Sequence, residues 1–457
     1  MFRRTFLLAV VALVVSLVGS DSAGALIDLQ TLIDDAESGS VLVLPPGTYQ
    51  GGVIIDKPLE IRGKDWPIID GGGDGTAIEI EASDVTITGL VIRNTGDSLD
   101  RENAGISANA PRVTITGNRL ENVLFGIFLR HADDSVVSYN EIGAIEADVA
   151  RRGDGIRVWE SDRILVEGNI VDGGRDTVLW FSDDIVVRDN VLSNGRYGIH
   201  FMYSDNALVE RNELSGNSVG GFLMYSFNLT LRDNLITENY GPSGYGIGLK
   251  DVDGVEATGN RFIGNRIGIY LDNSPATRGV EHRFTNNLFA YNETGAAFLP
   301  SVEGNIFTSN AFIDNGEQVG VQGKGDFDGN IWTVGDIGNH WSDFAGYDAD
   351  GDGVGDVPYR LTDLFSTLTD NHPELHFFDQ TPASRAIDLA AQMFPTFRPR
   401  PKVEDTAPLI EMPEIPVGII SVPDASVAGT LGAALAMLGG SVAVLMAGRR
   451  PRRRVRT

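Results

Sequence analysis

The sequence predicts an all-β chain: a right-handed parallel β-helix, a solenoid of coils about 22 residues long, with an N-terminal capping helix and a C-terminal transmembrane helix. Three observations carry this. One short phrase, Gly-Ile in its most regular versions, recurs eleven times, its first residue falling at 77, 105, 126, 155, 177, 198, 220, 246, 268, 295 and 320. An Asn-x-apolar triplet runs in step, beginning at Asn118, Asn140, Asn169, Asn190, Asn212, Asn234, Asn260, Asn286 and Asn310. Between these marks, apolar residues alternate with others at the two-residue period of strands. A coil therefore reads strand, Asn turn, strand, Gly turn, strand. Asparagine tolerates turn conformations, and its amide can bond the amide of the next coil. These columns are corners, not ligands. The right hand is the one general to such folds.

The elements follow in order. Residues 1–25 have Arg3 and Arg4, an apolar run from Phe6 to Val18 and then Ala23-Gly24-Ala25, the pattern of a signal peptide. The mature chain is expected to start near Leu26, outside the cytoplasm. Leu26, Leu29, Leu32 and Ile33 have helical spacing and predict a cap over the open solenoid end. The β-helix is expected over 26–325. Eleven or twelve coils make a rod about 50 Å long, at about 4.8 Å per coil. Longer steps mark insertions at Gly143–Arg152 and Asn239–Tyr245. Residues 326–380 form an Asp-rich C-terminal cap segment. Residues 381–425 hold a short helix and a Pro-rich spacer. Residues 426–448 carry no charge and are long enough to span a bilayer. The Arg-rich tail at 449–457 places that end in the cytoplasm and the large domain outside, anchored in the inner membrane.

The net charge is −27 and cysteine is absent. An acidic exported domain repels nucleic acid and disfavours a generic polyanionic substrate. Without thiols, the fold needs no disulfide and offers no thiolate metal site.

Within each coil, Ile127/Leu129, Ile156/Val158, Val178/Trp180, Ile199/Phe201, Ile247/Leu249 and Ile269/Leu271 are expected inward. One outward column is then Phe128, Arg157, Leu179, His200, Phe222, Gly248 and Tyr270. The next is Arg130, Trp159, Phe181, Met202, Met224, Lys250 and Asp272, with Tyr203 and Tyr225 just beyond. An outer face displaying Phe128, Trp159, Phe181, Phe222, Tyr203 and Tyr225 marks a partner-docking surface. Met202 and Met224 are equivalent positions one coil apart, and His200 shares their face. Two thioethers and an imidazole suit Cu(I); equally, the methionines suit an adaptable docking surface. His131 lies coils away, outside this group. The run Asp348-Ala349-Asp350-Gly351-Asp352-Gly353, with Asp356, matches the opening of a calcium loop, although Tyr359 stands at the twelfth position. Catalytic apparatus is sparse: Lys250, Asp251 and Asp272 form the one cluster a polysaccharide lyase or epimerase could use. An extracytoplasmic carbohydrate-binding protein or such an enzyme is the alternative reading.

Asn339-His340-Trp341-Ser342-Asp343-Phe344-Ala345-Gly346-Tyr347, the Asp loop and Val357-Pro358-Tyr359-Arg360 resemble the C-terminal signature of the NosD family. So do Thr381-Pro382-Ala383-Ser384-Arg385-Ala386-Ile387-Asp388 and Phe397-Arg398-Pro399-Arg400-Pro401-Lys402-Val403-Glu404. The resemblance covers nearly all of the mature chain. It implies a periplasmic, non-enzymatic role in delivering copper to apo nitrous oxide reductase. The partners it implies are the membrane and ATPase subunits of an ABC transporter, a copper-chaperone lipoprotein and the reductase. It supplies no copper ligands residue by residue.

Overall fold

The structure, a computed structural model, describes residues 12–14, 26–323, 328–362, 365, 368–369, 372–378, 381–393 and 401–415. The chain winds as a right-handed parallel β-solenoid of about 12 turns, with coils of about 23 residues. Three sheets of 13, 13 and 12 strands run its length. Sheet 1 starts with Ala12–Val14 followed by Val41–Leu44, sheet 2 with Thr48–Gln50 and sheet 3 with Val53–Ile55. Each strand pairs in parallel with its counterpart one coil away.

The core is stacked rather than layered. Ile106, Ile127, Ile156, Ile199 and Ile247 are buried in one interior column set, and Leu129, Val158, Leu179, Phe201 and Leu249 in another. Toward the C-terminal end the columns turn aromatic. Phe262, Phe289, Phe312 and Trp341 stack in successive coils at centroid spacings of 4.8, 4.8 and 4.5 Å. Such offset-stacked pairs add to the burial of each ring.

The Asn corners are buried, as they must be fully bonded to be. Asn190 is typical: its amide donates to Val166 O at 3.0 Å and to Asn212 Oδ1 at 2.9 Å. Its Oδ1 accepts from the Asn169 backbone N at 2.9 Å. The ladder runs through Asn287 rather than Asn286, which sits half-buried at positive φ. A second Asn ladder (Asn217, Asn239, Asn265, Asn292, Asn315) closes the next corner. Serine hydroxyls of Ser161, Ser182, Ser204 and Ser226 do the same at the third.

Both ends are covered. The N-terminal helix is Leu29–Asp35, capped by Asp28 accepting from Thr31 N. Leu29 and Ile33 are buried, whereas Leu26 is exposed and outside the helix. At the other end the chain corrects the expected spacer. Strand Val403–Asp405 returns and pairs antiparallel with Tyr359–Leu361. The buried Asp405 carboxylate accepts from Asn339 N at 2.7 Å, Trp341 Nε1 at 2.9 Å, Thr333 Oγ1 at 2.6 Å and Ala407 N at 3.1 Å. Asn339 is the last rung of the first ladder, so this carboxylate terminates it. The approach is so close that a Cβ on Gly338 would collide with Asp405 Oδ1. Tyr359 stacks on Trp341 at 4.3 Å and continues the aromatic column into the cap. The short helix spans Pro382–Met393.

Among the described residues no helix is long and apolar enough to cross a membrane. The expected span at 426–448 and the basic tail at 449–457 lie outside the described residues. So does the expected signal peptide, apart from Ala12–Val14, which lies parallel to Val41–Val43.

Candidate functional site

The outer face of sheet 3 gathers the candidate residues, with two corrections of register. Ile156 pairs with Thr177 and Trp159 with Trp180. The phrase in that coil therefore starts at Asp176, not 177. Thr177 and Leu179 fill the interior column, while Val178 and Trp180 face outward, the reverse of the expectation. Likewise Ala296 pairs with Val319, so the last repeat starts at Gln318, not 320.

In true register one outward column is Phe128, Arg157, Val178, His200, Phe222, Gly248 and Tyr270. The next is Arg130, Trp159, Trp180, Met202, Met224, Lys250 and Asp272. Phe181 moves to the corner column with Tyr203 and Tyr225. All three corner residues have left-handed backbone, at φ 54°, 52° and 53°. Their rings stack, with Phe181–Tyr203 at 5.4 Å and Tyr203–Tyr225 at 5.0 Å. Bulky side chains rarely hold that conformation. Here the Ser182, Ser204 and Ser226 ladder immediately after them offsets the strain.

The expected docking face is therefore less open than predicted. Phe128 is buried with Ala104, Leu124 and Phe125, against Ile145 from the insertion. Arg157 lies over the rings of Phe125, Phe128 and Trp159 and pairs with Glu102 at 2.7 Å. Trp159, Phe222 and Tyr225 are half-buried, while Phe181 and Tyr203 are exposed.

At the centre of the face sits His200, its side chain only 7% exposed. The ring meets Trp180 and Tyr197 edge-to-face at 5.0 and 4.8 Å. Its Nδ1 is 3.3 Å from Asp176 Oδ2. Its Nε2 is buried without a hydrogen-bond partner, and so is Trp180 Nε1. Met202 lies two residues on, and Met224 is level with Met202 on the adjacent strand. Parallel strands lie about 4.8 Å apart, so the two methionines stand on adjacent rungs of the sheet. His200, Met202 and Met224 thus lie on one face of the sheet, the histidine two residues before Met202. His131 is apart, 3.4 Å from Glu160.

Two residues near His200 were absent from the expected site. Burial would raise Asp176, but hydrogen bonds from His200 and Arg196 outweigh it and hold the carboxyl below its ordinary value. Asp154, also buried, is pushed up by desolvation, tempered by Arg175 at 3.0 Å and Arg157 at 3.2 Å.

In the possible catalytic cluster the lysine is paired. Lys250 Nζ lies 2.7 Å from Asp272 Oδ2, and that hydrogen bond raises the lysine further above its ordinary value. A lysine accepts a proton only when neutral, so this ammonium is poorly suited to that role. In the Asp loop, carboxylate oxygens of Asp348, Asp350 and Asp352 come within 4.8 Å of one another. Asp348 is held low by the Gly353 and Gly351 amides; Asp350 is raised by the Asp352 charge. Asp356 turns instead to the Ala349 amide, at 2.6 Å.

These features define a parallel β-helix protein with a buried histidine and two methionines on one face of sheet 3. A family profile described as periplasmic copper-binding protein (NosD) matches residues 143–346. A Pseudomonas aeruginosa protein named "Probable ABC transporter binding protein NosD" is 36% identical over 387 residues, 81% of this chain and 88% of its own. A Stutzerimonas stutzeri protein of the same name is 33% identical, over 81% of this chain and 86% of its own. The chain belongs to the NosD family, and the family places it in the periplasm. Among solved structures, the A-module of Azotobacter vinelandii mannuronan C-5 epimerase AlgE6 aligns at TM-score 0.48 and 15% identity. It covers 67% of this chain and 94% of that one.

Proposed function

We propose that this protein is a non-enzymatic assembly factor that receives copper as cargo on sheet 3 and helps pass it to apo nitrous oxide reductase. In this reading it works with an ABC transporter and a copper-chaperone lipoprotein. The observation that carries it is the buried, unpartnered Nε2 of His200 on the sheet face that also bears Met202 and Met224, in a family described as copper-binding. An unpaired buried polar atom costs about 1–3 kcal/mol, so a ligand that satisfies it is favoured. Neutral donors suit Cu(I), which needs no compensating charge from the protein. The exposed Phe181 and Tyr203, with the half-buried Tyr225 stacked beside them, form the aromatic edge against which a partner docks. The Asp348–Asp350–Asp352 loop is a separate calcium site on the cap. A C-terminal membrane anchor would keep the rod beside its transporter.

The test is copper loading of the reductase in cells carrying His200→Ala/Met202→Ala/Met224→Ala. Loading is expected to fall severely; full loading would refute the site. The reading as a polysaccharide lyase or epimerase is tested by turnover of uronic-acid polymers, with loss on Asp272→Ala.

A further inference from the structure

The Asp176–His200 contact raises a question of chemistry. A neutral imidazole carries its proton on one nitrogen, and only the other can bind a metal. Asp176 meets the Arg196 guanidinium through both of its oxygens, the pairing of a carboxylate, and a carboxylate can only accept. Both of its oxygens are engaged. Oδ1 accepts from Arg196 Nε at 2.9 Å and from Tyr197 N at 3.3 Å. Oδ2 takes a second bond from Arg196 Nη2 and faces His200 Nδ1. The carboxylate is itself 1% exposed, so it has no freedom to turn away.

The backbone makes the contact possible. Tyr197 is level with Asp176, yet His200 is level with Val178. The His200 strand thus carries one extra residue over that interval, a β-bulge. Bulges re-aim side chains and recur beside functional sites. Here the bulge falls between the aspartate and the histidine, where the ring is brought back to a carboxylate one coil away. Tyr197 and Trp180 then hold the ring edge-on from two sides.

We propose that Asp176, locked by Arg196, is a positioning residue that fixes His200 as the Nδ1–H tautomer and so presents Nε2 as the nitrogen donor of the copper site. This rests on the site proposed above and adds to it the residue that makes the imidazole competent. It explains why Nε2 lies buried with no protein partner: a donor lone pair kept free for metal needs none. Outer partners of this kind are typically worth about 10- to 100-fold in metal affinity.

The experiment uses the full chain and Ag(I), a redox-silent probe of a Cu(I) site. Long-range proton–nitrogen NMR on histidine-labelled, metal-free protein reads the tautomer, with His200→Gln assigning the signal. Ag(I) titration against a competing chelator gives affinities for wild type, Asp176→Asn and Asp176→Glu. Asp176→Asn places an amide NH2 where Oδ2 was, or where Oδ1 faces Arg196 and Tyr197. The first orientation drives His200 to the Nε2–H form, and the second breaks the lock. Supporting results are an Nδ1–H tautomer in wild type and a loss of about 10- to 100-fold in Asp176→Asn. Asp176→Glu, which keeps a carboxylate acceptor, should recover part of that loss, with unchanged thermal unfolding separating tautomer control from misfolding. An Nε2–H tautomer in wild type, or Asp176→Asn binding as wild type does, overturns the proposal. If His200→Gln/Met202→Ala/Met224→Ala also binds Ag(I) as wild type does, the site itself is wrong. If that variant is silent while Asp176→Asn binds normally, only the positioning role fails.

Discussion

Replacing Asp405 by asparagine should detach the C-terminal return while leaving the solenoid wound. The carboxylate takes two donors on each oxygen: Asn339 N and Trp341 Nε1 on one, Thr333 Oγ1 and Ala407 N on the other. An amide has one acceptor oxygen. The pair on the other side then meets an NH2 group, and Thr333 Oγ1 already accepts from Thr406 N at 2.9 Å. Two bonds to a charged group, at about 1.5–3 kcal/mol each, are lost. Removing a buried charge offsets part of this, leaving a net cost of about 2–4 kcal/mol. Neighbouring coils couple only to each other, so the cost falls on the cap. Hydrogen exchange reads it directly. The amides of Leu409 and Ile410, bonded to Asn339 O and Gly353 O, should exchange roughly 30-fold faster or more, with amides of the central coils unchanged. Exchange at 409–410 within about threefold of wild type would refute the reasoning that this carboxylate terminates the ladder.

Three further outcomes are expected. Asn190→Ala leaves the Asn169 backbone N–H and the Val166 carbonyl without their side-chain partner, costing about 2–5 kcal/mol; an unchanged urea midpoint would show that the ladder is not a source of stability. Burial pulls His282 down to about 4 from an ordinary 6.5. Between those values the unfolded chain holds the proton and the folded chain does not, so stability falls by roughly 3 kcal/mol as pH drops through that window. Asn can accept from Val255 N as His282 Nδ1 does, so His282→Asn should flatten that part of the profile, measured as wild type minus variant. Millimolar calcium should raise the melting temperature of the cap, and Asp350→Asn/Asp352→Asn should abolish the shift; an equal shift in that variant would place the ion elsewhere.

The coil, its three strands and its Asn corners were legible because a solenoid repeats its own evidence. Each coil must bury the same positions, so errors are confined to single coils. The slip at Asp176 shows where legibility ended. From Thr177 to Trp180 every residue is bulky enough to be an interior one, and alternation has no contrast there. The Asn ladder carried the missing signal: Asn190 lies 14 residues after Asp176, as Asn169 follows Gly155 and Asn212 follows Gly198. The same slip hid Trp180 behind Phe181. Asp176 itself was invisible as a site residue, because its bond to His200 depends on a bulge that spacing alone does not reveal. The cap was hidden for a different reason. Proline at 395–401 reads as an extended spacer, and nothing local says that Asp405 must return to meet Asn339, 66 residues earlier. His200, Met202 and Met224 shared a face as predicted, but the burial that leaves Nε2 without a partner came only from packing.

X-ray absorption at the copper edge of the Cu(I)-loaded full chain tests the central claim most directly. A first shell of mixed sulfur and imidazole nitrogen is predicted, with the sulfur contribution lost in Met202→Ala/Met224→Ala and the nitrogen lost in His200→Ala. A shell of nitrogen and oxygen alone, or a mixed shell indifferent to all three substitutions, would contradict it.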